Sequence, residues 1–236
     1  MKKAGLLFLT LILCGCLTAG AESLTGIVTA VSGEGLTLLT REAEHFIPVS
    51  ADTVWDTDEE IGPGDAAAVY FDGYSEEGNA AADSVVCHRI RGTVLETADV
   101  PEPHLILKPD DGGETVRVNL ADIPAYTAVP GMAATVYYNG IETRSVPPQI
   151  TALYLRGTVL DGRIAAAAEN GDIELIREDG ETAVVHIAPD TLCPPGLKAG
   201  DAVRVSVLPQ MTLSVPAQYT AQDIIVIDEQ KGRDRS

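Results

Sequence analysis

GMAATVYYNG, residues 131–140, sets Ala134, Val136 and Tyr138 against Thr135 and Tyr137, the period of two that marks a β-strand with one buried face. It returns as GDAAAVYFDG (residues 64–73) and GDAVRVSVLP (residues 200–209). Ala67, Val69 and Phe71, and Val203, Val205 and Val207, match its apolar side and are assigned to the core. The other side differs from copy to copy: Ala68 and Tyr70, Thr135 and Tyr137, Arg204 and Ser206. Those positions are expected to meet water or a partner.

Working outward, each copy is preceded by an Asp-containing turn, in VSADT (49–53), NLADI (119–123) and IAPDT (187–191). Further upstream lies a glycine-centred strand, LTGIV (24–28), IRGTV (90–94) and LRGTV (155–159). Aligned on Gly26, Gly92 and Gly157, the copies are 66 and 65 residues apart. Units of this length are whole small domains in tandem, longer than the repeats of a solenoid. Short runs of Val, Ile, Leu and Thr are separated by turn signals such as SGEG (32–35), DDGG (110–113) and ENGD (169–172). IAAAAEN (164–170) favours helix by composition, but strand-like neighbours on both sides make it an extended hairpin arm. About five short strands per unit predict an all-β chain of three tandem, small, five-stranded OB-like barrels. Module 1 is assigned to residues 24–90, module 2 to 91–155, module 3 to 156–228, and a disordered tail to 229–236. No Gly/Ser-rich linker parts the modules, so they are expected to stack with limited freedom.

The amino terminus reads as an export signal. Lys2 and Lys3 precede an apolar run, residues 4–13, too short to span a bilayer. Two cleavage sites compete. LCGC (13–16) places Leu13 and Gly15 at −3 and −1 of Cys16, the lipobox pattern, giving a signal of residues 1–15 and lipidation at Cys16. AGA (19–21) is an ordinary A-x-A site, giving a signal of residues 1–21 and plain secretion. Either way the chain is expected outside the cytoplasm, touching the membrane only through a lipid anchor.

Sixteen basic residues face 35 acidic ones, a net charge of −19 that loss of Lys2 and Lys3 makes two units more negative. Such a chain is expected to repel nucleic acid, which is therefore excluded as a partner at this stage, and anionic headgroups with it. Acidic runs such as DTDEE (56–60) lack calcium-loop spacing and read as solvated turns. Cys87 and Cys193 are left for pairing, too few for a disulfide framework, and no ligand spacing joins them to His88 or His186. No metal and no cofactor is expected.

At this point the residues resemble a broad family of repeated OB-like domains of unknown function in bacterial, Gram-positive type, secreted proteins and lipoproteins. Its pattern is G-x-V, a D-G turn between strands, D-T, then G-D-x-V-x-V and a terminal A-x-x-I. SVPPQITA (145–152) is similar to a feature of the Gram-positive members. The resemblance covers nearly all of the chain after the signal and assigns no catalytic residues. Met132 departs from it, standing where an acidic residue follows the strand glycine, and module 1 has GNAAADSVV (78–86) in place of the Pro-rich approach.

No nucleophile elbow, zinc-binding helix, P-loop or dinucleotide fingerprint occurs. The expected function is therefore a non-catalytic binding or scaffolding protein of the cell envelope, with an envelope glycan or protein as possible partner. An enzyme or accessory subunit acting on wall polymers, and a purely structural spacer, stand as alternatives. Candidate ligand contacts are Tyr70 and Tyr137, placed alike on the second face of the repeated strand, and Trp55, the sole tryptophan. Ser206 replaces the tyrosine in module 3.

Overall fold

The computed structural model describes residues 22–71, 81–121, 123–124, 127–167, 171–212 and 214–227. The lipidation candidate Cys16, both cleavage sites and the tail 229–236 lie outside these residues. The described chain is all-β, with no helix among the described residues. Module 3 is a closed five-stranded barrel: β11 (Thr158–Ala167), β12 (Ile173–Arg177), β13 (Thr182–His186), β15 (Ala217–Val226) and β14 (Ala202–Thr212), in that order around the wall. All its pairings are antiparallel except β13 with β15. The alanine-rich arm is strand as far as Ala167; residues 168–170 lie outside the described residues.

Module 2 repeats that closure. The second half of the 15-residue β6 (Ser84–Ala98), β7 (His104–Pro109), β8 (Val116–Asn119), β10 (Gln149–Arg156) and β9 (Ala133–Tyr138) form a ring, with β8 and β10 parallel. Module 1 uses β1 (Glu22–Val31), β2 (Gly35–Leu39), β3 (Glu44–Pro48), β5 (Ala66–Phe71) and the first half of β6. Its ring stays open among the described residues. The Ala82 amide donates to the Pro48 carbonyl at 2.9 Å where the other modules form a parallel ladder. An additional short strand, β4 (Val54–Thr57), lies parallel to β6 instead. Of the three OB-like barrels expected, two are closed and the third is open among the described residues.

The D-T turn has a local cause. The Thr53 hydroxyl accepts from the Ser50 amide at 2.9 Å and donates to the Ala82 carbonyl at 2.6 Å. Thr191 repeats this with Ala188 and Ala221, at 3.0 and 2.8 Å. One side chain thereby closes the turn and ties it to the last strand. In module 2 Ile123 takes the position and only the backbone bond of the turn, Ile123 amide to Leu120 carbonyl, persists.

The glycine register differs from the one read in sequence. A Cβ on Gly26, Gly92 or Gly162 would sit 2.7, 2.3 or 2.4 Å from a carbonyl oxygen of the neighbouring strand. Each is followed at the same offset by a β-bulge, between Val28 and Ala30, Val94 and Glu96, and Ile164 and Ala166. This is the bend that wraps the first strand around its barrel. Gly162, and not Gly157, is therefore the third repeat glycine. Gly157 occupies the place of Cys87: seven residues separate Val85 from Gly92 and Leu155 from Gly162, and Val85 and Leu155 pair with the equivalent Val69 and Val136. The string LRGTV matches IRGTV in letters and lies five residues out of register.

Each module has its own core, with Ala67, Val69, Ala134, Val136, Val203, Val205 and Val207 buried as expected. Cys87 is buried in the first core and Cys193 packs against the third; both are free thiols. Burial, with Asp65 adding to it, pushes the Cys87 thiol up to about 12, so it rests protonated and inert.

The two glycines make opposite predictions. Gly162→Ala should destabilise the chain by about 1–3 kcal/mol, because the opposing atom is backbone and cannot yield. Gly157→Ala meets only the flexible Met132 thioether, its sulfur 3.0 Å from the added Cβ, and should cost under about 1 kcal/mol. Urea unfolding of the two variants decides between the registers.

Candidate functional site

The second face of the repeated strand is buried at one position in each module, and Tyr70, Thr135 and Arg204 beside those positions stay partly exposed. Ala68 is buried, Tyr137 is 3% exposed and Ser206 is fully buried, because the modules pack against one another on this side. Tyr137 of module 2 and Ile225 of module 3 belong to the core of module 1, with Tyr154 and Leu192 packed alongside. Of the water or partner expected on this face, Tyr137 and Ser206 meet neighbouring modules of the same chain.

Arg156, the last residue of β10, stands at the centre of the junction and is 8% exposed. Its Nε donates to Ser206 Oγ at 2.9 Å and its Nη1 to the Tyr137 hydroxyl at 3.1 Å. The guanidinium lies 5.5 and 5.7 Å from the ring centres of Tyr137 and Tyr154, within cation–π range of both. Its Nη2 is 3.8 Å from Asp223 Oδ1, a fully buried carboxylate of β15. Asp223 Oδ2 accepts a short hydrogen bond from the Tyr154 hydroxyl. Tyr137 donates in turn to Asp65 Oδ1 at 3.1 Å, and the same oxygen accepts from Arg89 Nη1 at 2.7 Å.

One connected set of side chains therefore joins module 1 (Asp65), its outgoing strand (Arg89), module 2 (Tyr137, Tyr154, Arg156) and module 3 (Ser206, Asp223). Two guanidinium groups face two carboxylates, so the cluster is neutral as a whole. Burial pushes the Tyr137 phenol up to about 12 and raises Tyr154 well above its ordinary value, with Asp223 adding to the second. Both stay protonated, as their donor roles require.

The acidic run at residues 56–60 is exposed, as the reading of it as a solvated turn expects, and it is also paired. Asp56 meets His88 Nε2 at 2.9 Å, Asp58 accepts from the Arg89 amide at 2.9 Å, and Glu59 accepts a bidentate bond from Arg91 at 2.8 and 3.0 Å. The hydrogen bond from Arg91 holds the Glu59 carboxyl below its usual range. These contacts fasten β4 and its loop along the strand that carries the chain from module 1 into module 2.

Beside the polar cluster the three modules enclose a cavity of about 640 Å³. Leu24 of β1, Ile123 and Leu153 of module 2, and Leu192 and Leu208 of module 3 form its apolar wall. Arg41, Glu42 and His45 from the β2–β3 turn region and Asp190 from module 3 form the polar lip. His45 Nε2 is held at 3.2 Å by the Thr40 hydroxyl. Volume and lining match a preformed small-molecule site at a domain junction.

The three residues singled out from sequence do not form one surface. Tyr137 is interior. Tyr70 is half-buried on β5, paired with Ser84. Trp55 is 40% exposed on β4, beside exposed Val54, on the opposite flank of β6. Arg156, Asp223, Tyr154 and Asp65 were missed. The available signal was a charged residue inside an otherwise apolar strand, in ITALYLR and in AQDII.

No family model matches this chain and no curated protein matches it. Solved structures similar to it include Drosophila Unr CSD456, at 12% identity and TM-score 0.22, covering 89% of this chain and all of that one. A multidomain protein with nucleic acid binding domains from Streptococcus pneumoniae is similar at 8% identity and TM-score 0.22, over 88% of this chain and 73% of that one. A single-stranded DNA binding protein from Thermus aquaticus is similar at 12% identity and TM-score 0.20, over 88% and 92%. The exclusion of nucleic acid as a partner is withdrawn. The argument for it rested on the net charge of the whole chain, and a sum over the surface does not decide what one face meets.

Removing one member of the junction should be costly. Arg156→Ala leaves Asp223 buried without its counter-charge and should destabilise the chain by about 3–5 kcal/mol, whereas Arg156→Met with Asp223→Asn should recover part of that loss. Tyr137→Ala should likewise lower the unfolding midpoint, as a buried ring demands and a surface ligand contact would not. Chemical denaturation of the three variants checks both statements.

Proposed function

We propose that this chain is an extracytoplasmic, non-catalytic binding protein of a bacterial cell envelope, tethered to the membrane by a lipid on Cys16. Its amino-terminal sequence supports the location, and the cavity enclosed jointly by three interlocked modules is the observation that carries the binding role. A junction that fixes three domains against one another holds a site open before any ligand arrives, which limits the ordering cost of binding. Trp55 and Tyr70, on the flanks of β6, are the proposed contacts for an envelope glycan or protein at the outer surface.

The location is tested by Cys16→Ala, which should move the protein from the membrane fraction to the medium. Unchanged partitioning with a mature mass beginning at Glu22 would select the A-x-A site and plain secretion. The binding role is tested by co-sedimentation with purified wall glycan. Trp55→Ala should weaken it by roughly tenfold at an unchanged melting temperature, since a stacked ring contributes on the order of 1 kcal/mol. Turnover of the glycan by the purified chain would replace this reading with the enzymatic one.

A further inference from the structure

We infer that the junction cavity binds a small amphiphile with an apolar body and a cationic head. This rests on the reading of the chain as a binding protein but not on its location or on its glycan contacts. The body is specified by the wall, to which all three modules contribute aliphatic side chains that are not sunk in their own cores: Leu24, Ile123 and Leu153, Leu192 and Leu208. A cavity of about 640 Å³ that is mainly apolar, with the hydroxyls of Thr25, Thr40, Thr127 and Thr220 scattered round it, favours an aliphatic chain or a fused aromatic over a sugar, most of whose surface would lie against hydrocarbon.

The head is specified by the lip. Glu42 and Asp190 bring two exposed carboxylates from two modules, against the single guanidinium of Arg41. None of the three has a side-chain partner among the described residues, so their charges are not spent on one another. They act within the field of a chain whose net charge is −19. Field and lip agree in sign, and a low-dielectric wall behind the lip strengthens the attraction.

The test uses N-phenyl-1-naphthylamine, a neutral fluorophore, as reporter on the purified full chain. One saturable site is expected. Thr25→Trp, at an exposed position on the cavity margin, should abolish it by filling the space, and Thr220→Trp should do so from the module 3 side; melting curves establish that each variant is folded. Displacement is then compared for decyltrimethylammonium and decanoate below their micelle concentrations. At low ionic strength the cation should displace the reporter about tenfold better, a preference that salt should erode. Glu42→Gln with Asp190→Asn should remove the preference and leave reporter binding intact. Absence of a saturable site, or binding untouched by both tryptophan variants when folded, overturns the cavity as a site. Equal displacement, or preference for decanoate, overturns the cationic head. None of these results bears on where the protein resides, so failure here and failure of the envelope reading remain separable.

Discussion

A guanidinium withdrawn from water is costly unless it is matched, and Arg156 is matched by hydrogen bonds at Nε and Nη1, while its Nη2 has only the charge of Asp223 at 3.8 Å to face. Its partners come from two modules, the Tyr137 hydroxyl and the rings of Tyr137 and Tyr154 from module 2 and Ser206 Oγ and the Asp223 carboxylate from module 3, and Tyr137 carries the linkage on to Asp65 of module 1. Each of those is in turn a poor tenant of a protein interior unless Arg156 is present. The cluster is therefore mutually conditional. It forms when all three modules are docked in one arrangement, and apolar packing of Ile225 and Tyr137 into the core of module 1 makes that arrangement favourable. Buried polar groups of this kind add less to stability than an apolar isostere would, and what they supply here is a single mode of docking.

Docking of this kind explains why the repeated strand is buried at Ala68, Tyr137 and Ser206 of its second face as well as along its first. In a lone barrel the alternation of Thr135 and Tyr137 with Ala134 and Val136 would divide water from core. In this chain the second face packs against another module, so Tyr137 is inside although its neighbours in sequence obey the rule for an exposed row. The same packing accounts for Ser206, small and fully buried where modules 1 and 2 carry tyrosine. A bulky ring there would displace the Arg156 guanidinium, while a hydroxyl accepts its Nε.

How much of this could be read from the amino acids divides along a physical line. Strand period, turn residues and the threefold recurrence are local or near-local properties, and they placed the strands, the core face and the OB-like class correctly. The glycine register went astray because LRGTV and IRGTV agree as text, whereas the constraint that selects the repeat glycine is a carbonyl on the next strand, 2.3 to 2.7 Å from where a Cβ would be. Nothing in the pentapeptide encodes that approach; the seven-residue spacing from the preceding core position does. The junction lay further out of reach. Arg156 to Asp223 and Tyr137 to Asp65 join residues more than 60 positions apart, and only the isolated charge within each apolar strand hinted at them. Net charge misled by standing in for the local chemistry of a surface, and the solvated Asp56 to Glu60 run gave no sign that it would pair with His88 and Arg91 of β6.

The polar cluster and the cavity are consequences of one geometrical problem. Three convex bodies cannot meet without leaving space along their common line, and that space must be filled or enclosed. On one side Arg156 and its partners fill it. On the other it remains as the cavity, and Tyr154 belongs to both: its ring lines the cavity while its hydroxyl is bonded to Asp223. The wall is thereby anchored to the element that fixes the docking of the modules, so its position does not depend on an occupant. A site held in this way loses little freedom when filled, and shape is settled before a ligand enters; selection then falls to the charges at the lip, Arg41, Glu42 and Asp190, which are the part of the cavity that the packing leaves open.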